Sequence, residues 1–142
     1  MMIPQVARRL IKENKEMDGG LLFDPYCGSG TSLVEAKIVG MDSLGTDINP
    51  LAELISKTKV KCFDPKKVKK AKGKILKVIN SEDWKRDNDF EIPNFFNIKY
   101  WFKPENMNKL ALLKKLIFEI VDKENLNFFL VPFSETVRVA SY

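Results

Sequence analysis

Over residues 3–15 the apolar side chains fall at Ile3, Val6, Ala7, Leu10 and Ile11, with Arg8, Arg9 and Lys12 between them. That three-and-four spacing predicts a helix laid against a sheet. Asp18-Gly19-Gly20 marks a turn, and residues 21–23, Leu-Leu-Phe, are apolar at every position. Such a run suits a strand buried on both faces of a parallel sheet. Helical spacing returns over residues 32–39, where Leu33, Val34, Ala36, Ile38 and Val39 are apolar. Thr31 or Ser32 can cap this helix and Gly40 can stop it. Residues 43–46 predict a second strand that Asp47 ends, and Asn49-Pro50 is an N-cap followed by proline at the first helical position. Leu51, Leu54 and Ile55 then give one apolar face, reaching about Lys59.

Beyond this point the pattern predicts helices. Asp64-Pro65 reads as a cap and first turn, with Val68, Ala71, Ile75, Leu76 and Ile79 forming the apolar side of the helix that follows. Residues 81–93 are polar and predict a connector. The aromatics Phe95, Phe96, Tyr100, Trp101 and Phe102 could stack on a base or pack beneath the next helix, and packing is the favoured expectation. Pro104 opens an amphipathic helix to about residue 123, with Met107, Leu110, Leu113, Ile117, Ile120 and Val121 on its apolar side. Residues 126–140 are ambiguous, because Phe128, Phe129, Val131 and Phe133 suggest a strand while Pro132 argues against a central one.

The order strand, glycine loop, helix around Asp24-Pro25-Tyr26-Cys27-Gly28-Ser29-Gly30-Thr31 is the chemically informative part. Open α/β sheets bind ligands beyond the carboxyl ends of their strands, where loop N–H groups and a helix N-terminus point outward. A phosphate-binding P-loop needs lysine after its glycines, yet Thr31 and Ser32 follow Gly30. A dinucleotide fingerprint needs a third glycine where Leu33 stands. The ligand that remains makes close backbone contact, places a cationic group near Asp24 and offers ribose hydroxyls to Asp47. S-adenosylmethionine has these features and no phosphate.

These residues resemble a known family. Asp24 to Thr31, then Leu33-Val34-Glu35-Ala36 and Gly45-Thr46-Asp47-Ile48-Asn49-Pro50-Leu51-Ala52, are similar to the cofactor half of S-adenosylmethionine-dependent DNA methyltransferases that modify exocyclic amines, cytosine N4 or adenine N6. The family usually has phenylalanine where Tyr26 stands. More loosely, Ile92-Pro93-Asn94, Tyr100-Trp101-Phe102, the residues from Phe133 to Arg138, and Ser141-Tyr142 also resemble such enzymes. The resemblance implies a Rossmann-like α/β fold, incomplete within residues 1–142, as one partial domain whose residues 57–142 are helical, including most of 126–140. It implies cofactor contacts from Asp24, Pro25, Tyr26, Cys27, Gly28, Ser29, Gly30, Thr31, Asp47, Ile48, Asn49 and Pro50. DNA as partner and a place in a restriction-modification system follow from the same resemblance.

In the family a second motif, Asp, Asn or Ser followed by Pro-Pro and an aromatic, seats the target amine, and no Pro-Pro pair occurs here. No catalytic residue is therefore assigned. The chain is expected to be the cofactor portion of an enzyme that is truncated or completed by a second polypeptide half or a homodimer. The alternatives are a degenerate, non-catalytic binding module and an RNA methyltransferase relative.

Composition narrows the field further. There is no histidine, which removes the usual serine and cysteine triads and an ordinary zinc site, so no metal ligands are assigned. Cys27 and Cys62 cannot build a disulfide framework, and Cys27 reads as a small loop residue. Neither a membrane span nor a signal peptide is evident, and a cytoplasmic protein is expected. The net charge of +5 is compatible with a polyanion partner. Residues 57–77 carry ten lysines against Asp64 alone. Without arginine or interleaved aromatics, a solvated face is favoured there over a DNA-backbone contact.

Overall fold

A computed structural model describes residues 3–14, 20–81, 83–85 and 90–141. The predicted turn at Asp18-Gly19, residues 82 and 86–89 of the polar connector, and Tyr142 lie outside the described residues. The chain divides into two compact units, Met1–Cys62 and Phe63–Tyr142.

The first unit runs α1 (Pro4–Asn14), β1 (Leu21–Asp24), α2 (Thr31–Ile38), β2 (Asp42–Gly45) and α3 (Pro50–Val60). The strands pair in parallel, Leu22 opposite Ser43 and Asp24 opposite Gly45, so α2 is the crossover between them. β2 begins one residue earlier than the pattern suggests. Gly40, at φ +71°, follows the end of α2 in the left-handed backbone that turns the chain into β2. Arg8 on α1 holds the buried carboxylate of Glu35 on α2, Nε to Oε2 at 2.5 Å and Nη2 to Oε1 at 3.3 Å. A carboxylate in that position needs such a partner.

Burial of β1 on both faces is not observed. Leu21, Phe23 and Leu44 remain 62%, 57% and 54% exposed, while Leu22 and Ser43, on the other face, are half-buried. α2 packs on both strands, and α1 and α3 pack chiefly on α2, so the described helices of the first unit leave the apolar far face of the sheet largely uncovered.

The second unit contains α4 (Pro65–Ser81), a single 3-10 turn at Asp83–Lys85, α5 (Ile98–Trp101), α6 (Pro104–Ile120) and α7 (Leu126–Ala140). Asp64 caps α4 as expected, accepting from the Lys66 N–H at 2.8 Å. Ile75 from α4 and Leu112, Leu116, Ile117 and Val121 from α6 and its end form the core, with Phe129 and Phe133 of α7 packed on it. The buried side of α6 is wider than the predicted one: Ile117 and Val121 are in the core as expected, Ala111, Leu112 and Leu116 are buried as well, and Leu110 and Leu113 are partly covered. Residues 126–140 are helical despite Pro132.

Most of the aromatic cluster does not pack as expected. Phe95, Phe96, Tyr100 and Trp101 are exposed, and Tyr100 and Trp101 meet edge to face at 5.2 Å. α5 is one turn long, too short to bury two aromatic faces, and Trp84 and Phe90 occupy the core margin instead.

Candidate functional site

The loop after β1 and the residues after β2 form one hydrogen-bonded assembly. Pro25 has no N–H and ends β1 at Asp24. The pairing nevertheless continues through the loop: the Thr46 N–H donates to Asp24 O at 3.0 Å and the Cys27 N–H to Thr46 O at 3.0 Å. The Thr46 hydroxyl donates to Pro25 O at 2.9 Å. Gly28 then turns the backbone at φ +51° and donates its N–H to Asp47 Oδ2 at 2.9 Å. Asp47 Oδ1 accepts from the Asn49 N–H at 2.9 Å, and Asn49 Oδ1 accepts from the Leu51 N–H at 2.9 Å, capping α3.

Asp24 is held in the same manner. Its Oδ1 accepts from the Tyr26 N–H at 3.0 Å, and its Oδ2 accepts from the Ser32 hydroxyl. Among the described residues each oxygen of both aspartates therefore receives one hydrogen bond, while an ionised carboxylate has about four acceptor positions. Both aspartates keep capacity for a ligand, and both are preset by the same loop, through N–H groups two residues apart.

The two glycines have different reasons to be glycine. Gly30, at φ +76°, is the N-cap of α2, and a Cβ there would lie 2.7 Å from Ser56 Cβ on α3. It is a packing glycine. A Cβ on Gly28 would meet nothing within 4 Å, so that backbone faces open space. The space is a cavity of about 620 Å³ lined by Asp24, Tyr26, Cys27, Gly28, Ser29, Thr31 and Ser32. A second cavity of about 390 Å³ lies along β2 and α3; Asp47, Thr46 and Glu53 line it, and Cys27 borders both.

Of the residues predicted to form the site, Asp24, Tyr26, Cys27, Gly28, Ser29, Thr31 and Asp47 line these cavities. Pro25, Gly30, Ile48, Asn49 and Pro50 do not, although Ile48 is 100% exposed beside Asp47 and Tyr26 is 88% exposed. Capping of α2 by Thr31 or Ser32 is not observed, because no side chain caps it and the Ser32 hydroxyl turns to Asp24 instead. Ser32, buried and second in α2, is thus a site residue that sequence reasoning missed, because its role rests on its approach to Asp24 across the loop. Cys27 is buried and unbridged.

No family model matches the chain, and no solved structure matches it significantly. Among curated proteins, the type II methyltransferase M.MvaI of Kocuria varians is 37% identical over 99% of this chain and 32% of its own length. The type II methyltransferase M.MjaII of Methanocaldococcus jannaschii is 38% identical over 48% of the chain and 13% of itself. The tRNA (guanine(10)-N2)-dimethyltransferase of the same organism is 35% identical over 34% of the chain and 14% of itself. The chain is thus similar to one type II methyltransferase along nearly its whole extent and spans about a third of that relative's length, while the similarity to M.MjaII covers about half of the chain.

Proposed function

We propose that these residues are the cofactor-binding portion of an S-adenosylmethionine-dependent DNA methyltransferase with a Rossmann-like fold. Its target is an exocyclic base amine, cytosine N4 or adenine N6, within a restriction-modification system. The observation that carries this reading is the joining of Asp24 and Asp47 to one glycine loop at the carboxyl end of two parallel strands, with Asp47 bonded to the Gly28 N–H at 2.9 Å. Kinship with type II methyltransferases supports it.

The residues fit the cofactor. Asp47 has acceptor capacity for ribose hydroxyls, and Asp24 offers a carboxylate to the methionyl ammonium. Gly28, Ser29 and Thr31 present a backbone that a ligand can approach closely, and the exposed Ile48 with Asn49 and Pro50 supplies a flank for adenine. Tyr26 and Cys27 complete the cavity wall. The bound cofactor supplies an electrophilic methyl group. What this chain contributes is placement, which converts an encounter into a positioned reaction.

The acceptor site lies elsewhere in this proposal. With no Pro-Pro-aromatic motif in these residues, the target base is seated by a second polypeptide half that carries one, and DNA is engaged by the completed enzyme. RNA is the second reading, favoured by the match to a tRNA methyltransferase over 34% of the chain. The test incubates the chain with methyl-labelled S-adenosylmethionine and duplex DNA, alone and with a polypeptide that carries the motif, and analyses the nucleosides. The complemented mixture is expected to yield N4-methylcytosine or N6-methyladenine and the chain alone none. Transfer by the chain alone would contradict the assignment of the acceptor site to another segment, and methylation of RNA instead of DNA would establish the second reading.

A further inference from the structure

We propose that the lysine face of α4 is a docking surface for the phosphate backbone of duplex DNA; the inference rests on the methyltransferase reading and adds a contact surface to it. α4 carries Lys66, Lys67, Lys69, Lys70, Lys72, Lys74 and Lys77 and no acidic residue. All seven are exposed. Among the described residues only Lys67 has a carboxylate partner, Glu124 at 3.6 Å. Lys66, Lys70, Lys74 and Lys77 are four, four and three positions apart, so they form one stripe about 16 Å long at 1.5 Å per residue. Like charges at that spacing repel along the helix. A polyanion relieves that repulsion, and duplex DNA presents roughly one charge per 1.7 Å of its axis.

Gly73 is the second observation. It lies four residues before Lys77 and seven after Lys66, on the same stripe, in the interior of a helix where glycine is unfavourable. A Cβ there would meet nothing within 4 Å, so no packing explains the glycine. On a lysine stripe, the missing side chain lets a phosphodiester backbone come close to the helix. A solvated face explains the lysines but not this gap. An anionic membrane is the other candidate polyanion, but surface-bound helices bury their apolar face in lipid. Here that face is committed to the core, where Ile75 is 5% exposed and packs with Leu112, Leu116 and Ile117.

The test measures the anisotropy of a short labelled DNA duplex titrated with the full chain at several salt concentrations. Three variants are compared: Lys66→Gln/Lys70→Gln/Lys74→Gln/Lys77→Gln, a control with four lysines changed elsewhere (Lys12→Gln/Lys59→Gln/Lys99→Gln/Lys123→Gln), and Gly73→Ala. The α4 variant is expected to bind at least tenfold more weakly at low salt, and its slope of log K against log salt to fall by about 3.6, at ~0.9 for each phosphate no longer neutralised. The control should weaken much less. Gly73→Ala should raise the thermal midpoint while weakening DNA binding, a combination that a purely structural role does not produce. Equal weakening in the α4 and control variants, unchanged affinity in Gly73→Ala, or tighter binding to phosphatidylserine vesicles than to DNA would each overturn the proposal. Titration of S-adenosylmethionine into the same variants keeps the two readings apart: the α4 changes should leave it unaltered, and its absence in every protein would count against the methyltransferase reading instead.

Discussion

Gly28 and Gly30 stand two residues apart in the same left-handed backbone, and their neighbourhoods predict opposite consequences of adding a methyl group. Gly30→Ala drives a Cβ to 2.7 Å from Ser56 Cβ and 2.9 Å from its Cα, neither of which is the free end of a flexible side chain. It should destabilise the first unit by more than the ~1–3 kcal/mol of a strained left-handed residue alone. Gly28→Ala meets no neighbour, so its penalty is the backbone's own, about 1–2 kcal/mol. Its effect should appear instead in ligand affinity, since the added methyl projects into open space beside the cavity. Thermal unfolding with and without S-adenosylmethionine separates the two; a larger drop in midpoint for Gly28→Ala than for Gly30→Ala would contradict this division of roles.

At the scale of elements, the parts legible in the sequence are those with local signals. Asn49-Pro50 and Asp64-Pro65 mark helix starts by capping chemistry, and both caps form. β1 is recognisable because its three-residue apolar run is bounded by Gly20 before it and by proline after Asp24. The buried side of α6 is legible only in part: Ile117 and Val121 are read correctly, but Leu110, Ala111, Leu112 and Leu113 are consecutive, and a continuous apolar run does not reveal which of its members face the partner helices. The role of Ser32 is not legible, because it depends on the distance to Asp24 across the loop and not on spacing within the helix.

The link from α6 to α7 carries a pH dependence. Asp122 accepts from the Asn125 side chain at 2.8 and 3.0 Å and from its N–H at 3.1 Å, and Asn125 is buried. The Asn125 amide is the main cause that holds the Asp122 carboxyl below its ordinary value, with its N–H and the charge of Lys67 assisting against partial desolvation. A depressed carboxyl contributes stability that is fully present above its unfolded value, near 3.9, and is lost as pH falls through the folded one. Asp122→Ala should therefore lower the thermal midpoint at neutral pH, and the gap to the parent protein should close in acid below about pH 4. A gap that widens in acid would contradict this assignment.

For the whole molecule, the open apolar face of the sheet matters most. Leu21, Phe23 and Leu44 are more than half exposed on one face of a two-stranded sheet, an arrangement that invites association. No helix among the described residues is long and apolar enough to cross a membrane. The chain is expected to self-associate as its concentration rises, and Leu21→Lys/Phe23→Lys to shift its mass in solution towards the monomer; equal masses for the two proteins would show that this face is not where copies meet. Binding of S-adenosylmethionine by the loop from Asp24 to Thr31 and by Asp47 is measured by calorimetric titration of the cofactor into the purified chain and into Asp47→Ala. The parent should bind at one site, and Asp47→Ala should bind at least about tenfold more weakly while remaining folded, since one charged hydrogen bond contributes ~1.5–3 kcal/mol. Absence of binding by the parent, or equal affinity in a folded Asp47→Ala, would show that this loop and Asp47 are not the cofactor site.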